Sequence, residues 1–204
     1  MNLWLDGCFQ RPGLSRWWRK VKVTHQTIVL AGVSCSGKSA LVSSIINTPK
    51  LQKNLELATP VFCTSKSELE LFGYRRGWRR KGVTLLHVEI NPDPARQARV
   101  VWLDFLRCST EVSLVLVAPK REVLLENVRR RIAERKEASG LEAKQYLYTG
   151  RWLREQYSRF LENFAERYAL RKIFIYDQDG GLVCRTGDRE MITQKIAHIY
   201  ADIP

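Results

Sequence analysis

Gly32-Val33-Ser34-Cys35-Ser36-Gly37-Lys38-Ser39 is the stretch on which the fold turns. It fits the pattern G-x-x-x-x-G-K-[ST]. Ahead of it runs Thr27-Ile28-Val29-Leu30-Ala31, β-branched and apolar as a buried strand should be. Behind it, Ala40-Leu41-Val42-Ser43-Ser44-Ile45-Ile46 can open a helix. A strand, a glycine-bounded loop and a helix are the context this pattern needs to cradle phosphate. Gly32 and Gly37 permit a tight concave turn without a Cβ penalty. Successive amide N–H groups then converge on an anion, and the positive end of the following helix adds to the field. In that geometry Lys38 extends to the β- and γ-phosphates and Ser39 offers its hydroxyl to Mg²⁺.

Working outward, the chain alternates between the two periodicities. Strands are expected at Thr27–Ala31, Pro60–Thr64, Val83–Ile90, Val112–Ala118 and Lys172–Tyr176. Helices are expected at Lys38–Ile46, Ser65–Phe72, Pro94–Arg107, Glu122–Ala138, Arg151–Tyr168 and Asp188–Tyr200. The alternation predicts an α/β three-layer sandwich, a mostly parallel five-stranded sheet with helices on both faces. At 204 residues the chain makes one domain. Residues 1–22 read as a basic, Trp-containing extension, and 23–204 as the domain proper. Asp177-Gln178-Asp179-Gly180-Gly181 reads as a turn after the last strand. Its D-x-x-G falls too late for a GTPase switch, and no N-K-x-D follows.

A phosphate loop needs a second acid to hold the metal. Glu89 closes the run Val83–Val88, and Asp104 closes Val100–Leu103. Parallel strands need a crossover of a dozen or more residues. Only about seven separate Asp104 from the strand at Val112, by the same spacing rule. Glu89 is therefore the favoured acid, at the carboxyl end of a strand, where ligands gather in open α/β sheets. Asn91 and Asp93 follow it, and His87 reads as buried and structural.

The formal net charge is +13. Three clusters account for it: residues 1–26, residues 73–82 with Arg75, Arg76, Arg79, Arg80 and Lys81, and residues 120–136 with Arg129, Arg131 and Arg135. Such a surface attracts polyphosphates, nucleic acid or anionic headgroups. The five cysteines are widely spaced, with no metal-ligand pattern, as expected for free thiols in the cytoplasm. No run approaches the length of a membrane span. Trp4, Trp17 and Trp18 amid Arg and Lys leave open attachment to a membrane surface.

With Gly32-Val33-Ser34-x-Ser36-Gly37-Lys38-Ser39, the chain resembles the P-loop NTPase superfamily, and within it small-molecule kinases of the gluconate, guanylate and nucleoside-monophosphate type. It departs from them at Cys35, where Gly is usual, and at Ala40, where Thr is usual. The resemblance implies ATP and Mg²⁺ held by Gly32, Val33, Ser34, Cys35, Ser36, Gly37, Lys38, Ser39 and Ala40, with Ser39 and Glu89 on the metal. It implies an acceptor-binding segment at 65–82, where Arg75, Arg76 and Arg79 would grip the acceptor. A lid is implied at 129–150, hinged at Glu137–Gly140, with Arg131 or Arg135 closing over the transferred group. Leu147, Tyr148, Leu153, Tyr157, Phe160, Leu161 and Phe164 follow at helical spacing and read as core. The expected activity is transfer of the γ-phosphoryl of ATP to a small acceptor, with NTP hydrolysis also compatible with the loop. A different class stays open: a nucleotide-binding module whose state controls attachment to nucleic acid or an anionic surface. A polynucleotide 5′-end kinase would join the two.

Overall fold

Ile28, Val29, Leu30 and Ala31 have no exposed surface. A strand reaches that state only in the interior of a sheet covered on both faces. The computed structural model describes residues 25–57, 61–65, 82–90, 106, 109–134, 139–168, 170–177, 181–186 and 189–201. In chain order they form β1 (His25–Gly32), α1 (Lys38–Asn47), α2 (Pro49–Asn54), β2 (Val61–Ser65), β3 (Gly82–Glu89) and β4 (Glu111–Val117). Then come α3 (Arg121–Glu134), α4 (Ser139–Leu147), α5 (Gly150–Arg167), β5 (Leu170–Asp177), β6 (Gly181–Thr186) and α6 (Arg189–Ile199).

The strands form one sheet in the order β2-β3-β1-β4-β5-β6. The first five are parallel, and β6 returns antiparallel to β5. The five expected strands are therefore present, and a sixth joins them. Asp177 pairs with Gly181, so the strands on either side of the expected turn run antiparallel; residues 178–180 lie outside the described residues. Two helices were also not expected: the six-residue α2, opened by Pro49, and α4.

Alternation along the strands sorts the core into two layers. Ile28, Leu30, Val83, Leu85, Val115, Val117 and Phe174 pack with Leu41, Val42 and Ile45 of α1. Val29, Ala31, Leu86, Val88, Leu114, Leu116, Ile173 and Ile175 pack with α3, α5 and α6. Helices thus cover both faces. Burying a side chain such as Leu41 or Ile45 contributes about 1.5–3 kcal/mol each, so α1 is firmly seated behind the loop that precedes it. Leu153, Tyr157, Phe160, Leu161 and Phe164 form the buried stripe of α5, as their spacing predicts. Leu147 is 41% exposed and does not belong to that core; it ends α4, on a different helix from the stripe.

The topology also places a crevice. The chain leaves β1 for β2 and β3 on one side, then crosses to β4 and β5 on the other. Above the carboxyl end of β1 the connections diverge, and open α/β sheets bind ligands at such a point. Among the described residues no helix is long and apolar enough to cross a membrane.

Candidate functional site

The loop after β1 is shaped by three backbone choices. Gly32 admits no side chain: a Cβ there would lie 2.5 Å from Ser36 Oγ and 2.7 Å from the Val117 carbonyl. Gly37 caps α1 at φ 91°, ψ 10°, a left-handed conformation that glycine adopts freely. Cys35 also sits left-handed, at φ 64°, where a side chain costs about 1–2 kcal/mol. Cysteine thus occupies a backbone conformation that glycine would adopt freely. Ser36 N–H donates to Val33 O at 3.3 Å, and the next such bond is Leu41 N–H to Gly37 O at 3.0 Å. The first turn of a helix leaves its N–H groups without intrahelical partners.

Lys38 folds back over the loop. Its Nζ donates to Gly32 O at 2.8 Å, to Val33 O at 2.6 Å and to Ser36 Oγ at 3.3 Å. Only 5% of the residue is exposed. Burial lowers its pKa to about 8, opposed by the nearby charges of Glu89 and Cys35 and assisted by those of Lys144 and Arg131.

The register of β1 and β3 sets Gly32 opposite Glu89, and Ile90 N–H donates to Gly32 O at 2.9 Å. This pairing fixes the expected acid beside the start of the loop. The parity of Val83 and Leu85 puts His87 and Glu89 on the α1 side of the sheet. A cleft of about 410 Å³ opens there, lined by residues 34–40, His87, Glu89, Asn127, Arg130, Arg131 and Glu134. His87 is therefore a half-buried wall of the cleft, not a core residue. Burial and Lys38 lower its pKa, against Glu89.

Of the residues expected to hold a nucleotide, Ser34 through Ala40 line the cleft, while Gly32 and Val33 lie beneath it and act through their carbonyls. Arg131 lines the cleft with its Nη1 3.7 Å from Cys35 Sγ. Arg129 pairs instead with Glu126 at 3.6 Å, on the exposed side of α3. Arg75, Arg76, Arg79, Arg135, Asn91, Asp93, Asp104 and the segment 1–22 lie outside the described residues. The expected hinge is altered where it is described: Ser139 and Gly140 are the first residues of α4.

Four contributors were missed. Arg130 lines the cleft beside Arg131. Lys144 on α4 brings its Nζ to 3.8 Å from Glu89 Oε1. Tyr157, within the α5 stripe, donates to Val117 O at 2.5 Å and accepts a longer bond from Val33 N–H at 3.4 Å. Tyr148 donates to Ser34 O at 3.2 Å. Spacing marks both tyrosines as core, and their hydroxyl partners have no signature in sequence.

Ser39 is exposed at the start of α1, Glu89 is half exposed at the end of β3, and both line the cleft. Two oxygen donors at one rim, with room for water and ligand oxygens, suit a hard cation such as Mg²⁺. Among the described residues no group of three or more His, Cys, Asp or Glu could hold a metal on its own. A concave backbone with a buried cation and two arginines suits an oxyanion.

No family model matches the chain, and no curated protein matches it in sequence. A solved structure from the PezAT chromosomal toxin–antitoxin system of Streptococcus pneumoniae is similar at a TM-score of 0.43. It is 14% identical, over 91% of each chain.

Proposed function

We propose that the protein is a P-loop phosphotransferase that moves the γ-phosphoryl of ATP to a small acceptor. One observation carries this reading: a single cleft lined by Lys38, Ser39, Glu89, Arg130 and Arg131, residues drawn from three separate elements. The loop amides and α1 receive the phosphates. Lys38 exchanges its loop carbonyls for β- and γ-oxygens. Ser39 and Glu89 would hold Mg²⁺, which would supply charge neutralisation at the phosphates. Arg131, with Arg130 and Lys144, would stabilise the charge that develops on the group in transfer. Little covalent chemistry is required of the protein, since positioning and charge stabilisation dominate in this class. The base and ribose have room in a second cavity of about 680 Å³, over the ends of β4 and β5, lined by Lys120, Arg121, Asp177 and Tyr200.

The net charge of +13 supports a second reading, a nucleotide-dependent module attached to nucleic acid or an anionic surface. Labelled ATP offered with sugars, nucleosides, nucleotides and oligonucleotide 5′ ends separates the two, with Lys38→Ala as the blank. Lys38-dependent transfer to one class identifies the acceptor. No transfer, together with an unchanged melting temperature in saturating ATP-Mg²⁺, refutes the nucleotide reading.

A further inference from the structure

Tyr148 joins the loop to the segment that flanks it. It is 2% exposed, between α4 and α5. Its N–H donates to Lys144 O at 3.0 Å, and its carbonyl accepts from Arg121 Nε at 2.9 Å. Its ring lies against Trp152, centroids 5.3 Å apart. The phenol is thereby aimed from a backbone tied to both α3 and α4, and its OH ends on Ser34 O.

A trans peptide is planar, so its C=O and the next N–H point in opposite directions. With the Ser34 carbonyl held toward Tyr148, the N–H of Cys35 faces the other way. Cys35 packs against the same core as Tyr148 but, unlike it, also lines the cleft, so an N–H turned away from Tyr148 is turned toward the cleft. The left-handed residues Cys35 and Gly37 flank Ser36, and such alternation is what turns successive N–H groups onto one anion. Glycine would reach this shape without help. Cysteine does so only where its surroundings hold it.

We propose that Tyr148 is a positioning residue of the anion cradle: its hydroxyl fixes the Ser34 carbonyl and so presents the Cys35 N–H to a polyphosphate. The inference rests on reading the loop as a phosphate site. It also gives α4 a part in that site, because Lys144, whose carbonyl holds Tyr148, carries its side chain to Glu89. Burial pushes the phenol above its ordinary range, so it stays a donor throughout the pH range of an assay.

The test uses the full chain with two probes, inorganic tripolyphosphate and ATP-Mg²⁺. Tyr148→Phe removes the hydroxyl and keeps the ring. One lost hydrogen bond corresponds to about threefold to tenfold weaker binding, expected equally for both probes because both use the cradle. Replacing Tyr148 by 4-aminophenylalanine, which again donates, should restore affinity. In protein labelled with ¹⁵N-cysteine, the Cys35 amide proton should move downfield when wild type binds tripolyphosphate, and move much less in the Phe variant. If wild type binds neither probe, the phosphate reading falls and this inference with it. If wild type binds and the Phe variant matches it within about twofold with the same amide shift, a threshold below one net hydrogen bond, the inference alone is overturned.

Discussion

ATP-Mg²⁺ affinity should fall about tenfold between pH 7 and pH 9, and Lys38 should be the reason. In the empty protein Lys38 is buried among carbonyls with its pKa lowered from 10.5 to about 8. A phosphate beside the ammonium favours the charged form and returns the pKa toward its ordinary value. Binding therefore takes up a proton wherever the empty protein has lost one. Affinity is full below pH 7 and is lost as pH rises through 8. Linkage gives an uptake of about 0.1 proton at pH 7, about 0.5 at pH 8 and about 0.9 at pH 9. The matching change in affinity is about 1.4 kcal/mol across the window. The other groups facing Lys38 are Glu89, Cys35, Lys144, Arg131 and His87. His87 is lowered from its ordinary value, so it is already neutral across the window. The last ionisation of a phosphate ester lies near pH 6 and does not interfere. Calorimetry in two buffers of different ionisation enthalpy reads the proton count directly. Lys38→Met should bind more weakly at every pH and show a flat profile above pH 7. Uptake near zero at pH 8 in wild type, or the same slope in Lys38→Met, would refute the assignment of the buried ammonium to the phosphates.

Three further outcomes follow from the site and from the charge pattern of the sequence. On the proposed phosphotransferase reading, in which the acid acts through metal and water, Glu89→Gln should lower turnover by about a hundredfold or more while nucleotide affinity moves less than about threefold; a parallel loss in both, by steady-state kinetics and calorimetry, contradicts that role. Gly32→Ala forces a Cβ to within 2.5 Å of Ser36 Oγ and 2.7 Å of the Val117 carbonyl. Overpacking of this kind costs about 1–3 kcal/mol, so the melting temperature should drop by about 2–4 °C per kcal/mol and nucleotide stabilisation should vanish; a variant that melts and binds like wild type means the loop is built differently. Replacing Arg75, Arg76 and Arg79 together should raise KM for the acceptor with ATP affinity unchanged if they bind the acceptor, whereas weaker and less salt-dependent DNA or RNA binding favours the attached module.

What the sequence made legible is local or one-dimensional. β1, the loop and α1 are contiguous, so their order is visible in a single stretch. Glu89 was favoured over Asp104 by crossover length alone, and the parallel register of Gly32 with Glu89 bears out its place at a strand end beside the loop. The α5 stripe followed from its period. The missed elements depend on partners outside their own stretch of chain. Gly181-Leu182-Val183-Cys184-Arg185-Thr186 begins inside a Gly-Gly pair and is short, so its pairing with β5 outweighs its turn-like beginning. Ser139-Gly140 has the composition of a hinge, yet it opens a helix whose contacts are with α3. Lys144 is one lysine on a polar helix until the fold brings it to Glu89.

Cys35 is where the local and tertiary levels disagree, and the disagreement has a physical content. By intrinsic preference a cysteine leaves the left-handed region, and by sequence resemblance that position calls for glycine. The structure gives Cys35 a left-handed backbone with contacts from distant neighbours around it. Arg131 Nη1 lies 3.7 Å from the thiol on one side of the residue. Tyr148 holds the preceding carbonyl on the other. Both supports come from the α3–α4–α5 segment, which also carries Lys144 to Glu89. A glycine loop would take its shape from its own backbone freedom. A cysteine loop takes it from its neighbours, so the segment that flanks the cleft and the loop that floors it form one mechanical unit. Consistency between levels is the usual condition for a well-specified fold. Here it is restored by contacts more than ninety residues away in sequence.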